Sequence, residues 1–147
     1  MQTISVKHGI YNIHERFCYR KLSKSAVGWF LDKHKLFDTC VLVNLQISEH
    51  LDCWGTCHEG DNDDYIINVA TDQSIRDFLA TLMHELVHVL QWERGTWEGD
   101  GEEEAEKKQY KLADKFWKEG MLGQHYYFLR WVALHSVLLW AHALVPV

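Results

Sequence analysis

Residues 74–95 carry the pattern that most limits how this chain folds. Ser74, followed three residues on by Asp77, is a capping-box-like start, and Gly95 is a stop. Between them Ile75, Leu79, Leu82, Leu86 and Leu90 recur at helical spacing. At about 100° per residue they fall on one face. Asp77, Thr81, His84, His88 and Gln91 fall on the opposite face. The spacing predicts a helix to about Arg94 with a core side and a polar stripe. Such a helix needs another layer to pack on.

The flanking segments supply that layer. Residues 14–37 read as one or two helices, with Phe17, Leu22, Val27, Phe30 and Leu31 apolar. Residues 40–48 read as a strand, because Val41, Leu42, Val43, Leu45 and Ile47 are β-formers. Two more strands are expected near 53–58 and 65–70, separated by a polar turn at 59–64. A further helix is expected from Asp100, a plausible N-cap, to about Glu119, with Gly120 at its end. The class is α+β: an N-terminal helix, a small three-stranded mixed sheet packed on the 74–95 helix, an antiparallel glutamate-bearing helix and an apolar C-terminal helix. One domain is expected over 1–123. Residues 124–147 are expected to form the apolar C-terminal helix, within that domain or against a partner or membrane.

The 147 residues suffice for one core. The net charge of −6 excludes a uniformly basic nucleic-acid binder. Residues 1–40, however, hold seven Lys/Arg against three Asp/Glu, so a local basic surface around Arg16, Arg20, Lys21 and Lys24 stays open, with a solvated helix face preferred. Residues 131–147 contain no Asp, Glu, Lys or Arg. That run is shorter than the roughly 20 residues a membrane span needs, so a buried or partner-packing helix is preferred over an anchor. Met1, Gln2 and Thr3 begin no apolar signal run, so a cytoplasmic setting with free thiols is expected for Cys18, Cys40, Cys53 and Cys57. Cys53, Cys57 and His58 lack a second Cys/His pair at zinc-finger spacing and are read as structural.

The chemistry lies in His84-Glu85-Leu86-Val87-His88. Two histidines four apart on a helix project from one side and can share one metal ion, while the glutamate between them reaches a water on that ion. In a chain this rich in His and Glu the bare pattern has a chance expectation of about 0.05. The competing reading is two exposed histidines on a surface helix. A zinc site needs a third protein ligand and an open position. No histidine follows His88 until His125, whereas Glu98, Asp100, Glu102, Glu103, Glu104 and Glu106 crowd the next helix start. An antiparallel return from Gly95 brings Glu102 level with His88 and Glu106 level with His84. On the helical wheel both share the face of Ala105, Leu112, Ala113, Phe116 and Trp117, and Glu103 and Glu104 point away. Glu102 is therefore the expected third ligand and Glu106 the expected acceptor for a histidine ring N–H. Glu104 and Glu103 are the fallback ligands.

The motif followed by Glu102-Glu103-Glu104-Ala105-Glu106 resembles the gluzincin metallopeptidases, which join HExxH to a downstream glutamate helix often reading E-x-x-A-D. The run 82–95 and the E-x-E-A after it look most like small metallopeptidases of tailed phages grouped with SprT-like proteins. The resemblance covers about residues 65–117 and implies a minimal zincin fold in a phage-infected bacterial host, with an edge strand that binds extended substrate. SprT-like proteins proper use a third histidine, and the E-x-x-A-D aspartate is Glu106 here. The expected activity is hydrolysis of a protein or peptide substrate by water activated at one catalytic Zn2+, with Glu85 as general base. The substrate is expected to pair with a strand edge at 65–70, and Tyr110, His125, Tyr126 or Tyr127 to donate to the oxyanion. The alternatives are a catalytically silent zincin-like binding module, a DNA-recruited SprT-like protease and a membrane-tethered peptidase. Nucleic acid and membrane are the less favoured partners, and the sequence does not set the oligomeric state.

Overall fold

The computed structural model describes residues 4–8 and 19–121. Its elements are β1 (Ile4–His8), α1 (Tyr19–His34), β2 (Cys40–Gln46), β3 (Gly55–Glu59), β4 (Asp64–Ala70), α2 (Ile75–Arg94) and α3 (Glu102–Phe116), which runs into a π turn at Trp117–Met121. The class is α+β, as expected. β2 and β4 are parallel and β3 and β4 antiparallel, so the three expected strands form a mixed sheet. β1 extends it by pairing parallel to β2. No pattern in the sequence announces β1, because its five residues are held by a partner more than thirty positions away, with Ile4 opposite Val41.

The strand order is β1-β2-β4-β3. β4 is thus paired on both sides, and the edge near the glutamate of the motif is β3. This corrects the expectation that 65–70 offers the open edge. Alternation alone locates strands but not their neighbours.

β2 alternates half-buried and buried positions, with Val41, Val43 and Leu45 turned inward. Ile67 and Val69 of β4 join them. α1 adds Leu22, Ala26, Val27, Phe30 and Leu31 to the same core. α2 begins where Ser74 accepts a hydrogen bond from the Asp77 N–H, and it ends at Gly95 in the left-handed conformation (φ 64°). It is more enclosed than its two-faced pattern suggests: between residues 78 and 91 only Thr81 and His84 escape full burial. The cause is packing against β3 and β4 together with α1 and α3. α3 starts two residues after Asp100, whose Oδ1 accepts from the Glu102 N–H at 3.1 Å, while Gly101 holds the cap position. Trp117, expected on the buried face of α3, is 39% exposed. No helix among the described residues is long and apolar enough to cross a membrane. Cys40, Cys53 and Cys57 are free thiols. Cys18, Arg16, Phe17 and the expected helix over 124–147 lie outside the described residues.

His34 closes α1 with its ring 4.4 Å from that of Phe30, and its Nε2 is buried without a hydrogen-bond partner among the described residues. Burial, then the charges of Arg94, Lys33 and Lys108, lower its pKa from 6.5 to about 4. The unfolded chain therefore binds a proton that the folded one refuses. Stability is unaffected above about pH 6.5, falls as the pH drops below that, and levels out beneath about pH 4. Denaturant titrations of His34→Phe should show a shallower loss of stability than wild type across that window. Parallel curves would show that His34 is not the group responsible.

Candidate metal centre

α2 sets His84 and His88 one turn apart, with ring centroids 4.9 Å from each other in an edge-to-face arrangement. The chain leaves α2 at Gly95 and re-enters helix after Gly101, at φ 84°. α3 then runs back along α2. Arg76 makes a bidentate pair with Asp114 at 2.9 Å, Tyr110 donates to Asp77 at 2.9 Å, and Glu102 meets the histidines. Earlier residues of α2 thus face later residues of α3, the expected antiparallel order.

This return brings together three donor groups. Glu102 Oε2 lies 3.0 Å from His84 Nε2, and Glu102 Oε1 lies 3.2 Å from His88 Nε2. The two Nε2 atoms are 3.2 Å apart. Ligands about 2.0–2.1 Å from a tetrahedral zinc stand about 3.3 Å from one another, so the triangle is close to the size of such a ligand set. Among the described residues this is the one cluster of three such groups that could hold a metal ion. The histidine side chains are 16% and 11% exposed and that of Glu102 is 52% exposed, so the triangle is walled by α2 and open on the α3 side. Glu102 stands in the first turn of α3, where the helix dipole favours a carboxylate.

Glu85 is 6% exposed and lies against β3. A Cβ at Gly55 would stand 2.7 Å from Glu85 Oε1 and 2.6 Å from Thr81 Cγ2, so only a glycine lets the strand come this close. Burial pushes the Glu85 carboxyl up to about 8, and the charge of Glu102 adds to the effect. Burial and the neighbouring His88 lower the His84 pKa, with Glu102 and Glu106 acting in the opposite direction.

The other acidic residues divide by direction. Glu103 pairs with Lys107, and Glu104 pairs with Lys108 and accepts from Gln91 Nε2 at 2.9 Å; neither joins the histidine cluster. Glu106 is exposed on the rim of the same cleft and acts on His84 through its charge. The atom that faces the His88 Nδ1 is Gln91 Oε1, at 2.9 Å. Gln91 stands on the polar stripe of α2, yet spacing alone gives an uncharged amide no reason to be singled out. Gly55 is equally silent in the sequence. Tyr110 is stacked under Arg76 and committed to Asp77, which stands seven residues from His84 along α2, roughly 10 Å down the axis. His125, Tyr126 and Tyr127 lie outside the described residues. Cys57 and His58 are successive strand residues, and they belong to no metal-sized cluster.

β3, α2, α3 and the loop before α3 enclose a cleft of about 700 Å³, with His84, Glu85, Glu102, Gln109, Trp92 and Trp97 on its walls. That volume is within the range of ligand-binding clefts, roughly 300–1,000 Å³. The chain matches no family model, no curated protein and no solved structure.

The contact between Gly55 and Glu85 gives a direct test. Gly55→Ala forces a methyl into Thr81 and Glu85 and should destabilise the protein by about 1–3 kcal/mol, read as a lower denaturation midpoint. An unchanged midpoint would mean that β3 does not press on the motif helix.

Proposed function

We propose that the protein is a zinc-dependent metallopeptidase. The observation that carries this reading is the triangle of His84 Nε2, His88 Nε2 and a Glu102 carboxylate oxygen, with Glu85 one residue from the first of them. Two imidazoles and one carboxylate suit zinc, and His84, His88 and Glu102 would hold it. When bound, the ion acidifies a water and polarises the scissile carbonyl.

The remaining steps belong to the chain. Burial alone favours the protonated Glu85 carboxyl, but a divalent cation held beside it would favour the carboxylate, which is placed to take the proton of the attacking water. As the C–N bond breaks, it hands that proton to the departing amine, leaving a carboxylic acid on the other product, whose remaining proton passes to the amine or to solvent. Its burial keeps bulk water from competing for that proton.

β3 orients the substrate. Trp54 O accepts from the Ala70 N–H, and the Gly60 N–H donates to Asp64 O. These two bonds fix the even-numbered positions as those paired with β4, so the main-chain groups of Gly55, Cys57 and Glu59 point to the open side. An extended peptide added there runs past Gly55, the residue that touches Glu85. The Cys53 thiol, 2.8 Å from Gly55 O, is a weak donor that a peptide N–H displaces.

Two measurements on purified protein test the reading. Metal analysis should find one zinc per chain in wild type and a large loss in His84→Ala. Glu85→Gln should keep the zinc and lower kcat/KM on an unfolded protein substrate by about 10²–10⁴-fold. Full activity in Glu85→Gln would remove Glu85 from its role, and zinc-loaded wild type that cleaves nothing would favour the silent binding module.

A further inference from the structure

We propose that Gln91 is a positioning residue for the metal centre, fixing the tautomer of His88 and tying that ring to the turn from which Glu102 is launched. The role rests on the metallopeptidase reading, but the geometry behind it stands on hydrogen bonds alone.

Gln91 is 4% exposed, and its side-chain amide is bonded at both ends. Nε2 lies 2.9 Å from Gly101 O and 2.9 Å from Glu104 Oε2. A backbone carbonyl only accepts. The Glu104 carboxylate takes the Lys108 ammonium on its other oxygen, so it too is an acceptor. The amide NH2 must therefore point at these two oxygens, since the flipped amide would set Oε1 against both. Oε1 is then the atom 2.9 Å from His88 Nδ1. A carbonyl oxygen cannot donate, so His88 Nδ1 must carry the hydrogen. In the neutral ring the lone pair then sits on Nε2. That is the atom 3.2 Å from Glu102 Oε1 and 3.2 Å from His84 Nε2.

The same amide reaches the second ligand. A Cβ at Gly101 would stand 2.4 Å from Gln91 Oε1 and 2.9 Å from Nε2, and the φ of 84° independently favours glycine there. Gly101 directly precedes Glu102. One buried amide therefore links the ring of His88 to the backbone that delivers the carboxylate, with both of its N–H groups donating and its oxygen facing the ring.

The test begins with nitrogen NMR of His88 in metal-free wild type in mildly alkaline buffer, where the Nδ1–H tautomer is expected. A zinc-chelator competition then compares wild type with Gln91→Met, which keeps the side-chain volume and removes both hydrogen-bonding ends. Zinc affinity should fall about 10–100-fold, and His88 should lose its single tautomer. Zinc uptake by wild type with His88 in the Nε2–H form would overturn the Gln91 proposal alone, and this measurement needs no variant to fold. Unchanged affinity in Gln91→Met would do the same. Wild type that takes up no zinc would instead remove the peptidase reading together with the role built on it.

Discussion

The enclosure of α2 governs everything else in the molecule. A helix packed on β3, β4, α1 and α3 at once offers no solvent to its polar side chains over most of its length. Every polar group placed there must find a partner inside the protein or carry a desolvation cost. Glu85, His88 and Gln91 are the buried polar residues of α2: Glu85 lies against Gly55 of β3, and His88 and Gln91 are bonded to each other beside Gly101. The apolar residues of the same helix hold it against Val43, Leu45, Ile67 and Val69. The site is thus a consequence of packing: the helix cannot rotate to release its histidines without exposing Phe78, Leu82, Leu86 and Leu90.

α3 makes the second contribution from a weaker footing. Ala105 and Ala113 are small and buried, which lets it lie close to α2, and Phe116 anchors its far end against Trp29. The Arg76–Asp114 pair and the Tyr110–Asp77 bond fix its register, but both are exposed, and such surface contacts are individually worth about 0–1 kcal/mol. The stability of the helix pair therefore lies in its apolar seam, with the polar contacts selecting one alignment out of several. That alignment determines whether Glu102 reaches both rings.

What could be read from the sequence was whatever is local. Ser74 with Asp77, the apolar period of α2 and Gly95 announce the helix because capping and periodicity act within a few residues. His84, Glu85 and His88 follow from that same helix. Glu102 could be reached because the turn between the helices is short, so counting residues out and back is enough. β1 and the identity of the edge strand were not legible, since strand pairing is decided by residues far away in the chain. Gln91 and Gly55 escaped for a related reason. An amide and a glycine carry no charge or periodicity to mark them, and their importance lies in what presses on them. Glu106 was read from the wheel as a ring acceptor, whereas the direction of the Gln91 amide depends on Gly101 and Glu104, two positions that no wheel of α3 connects to His88.

The unpaired side of β3 also bears on how this protein meets copies of itself. A row of free main-chain donors and acceptors does not distinguish a foreign peptide from the same strand on another molecule, and head-to-tail pairing of two β3 strands would satisfy both rows. Each copy would then sit over the other's cleft. The strand has only five residues, and it ends in Glu59, with Asp61, Asp63 and Asp64 close behind. In such a pair the carboxylates at each strand end would lie beside the partner's Trp54 and Cys53, away from their like. Self-association by this route is opposed by the shortness of the strand, and at high concentration it would cover the cleft before it led to precipitation.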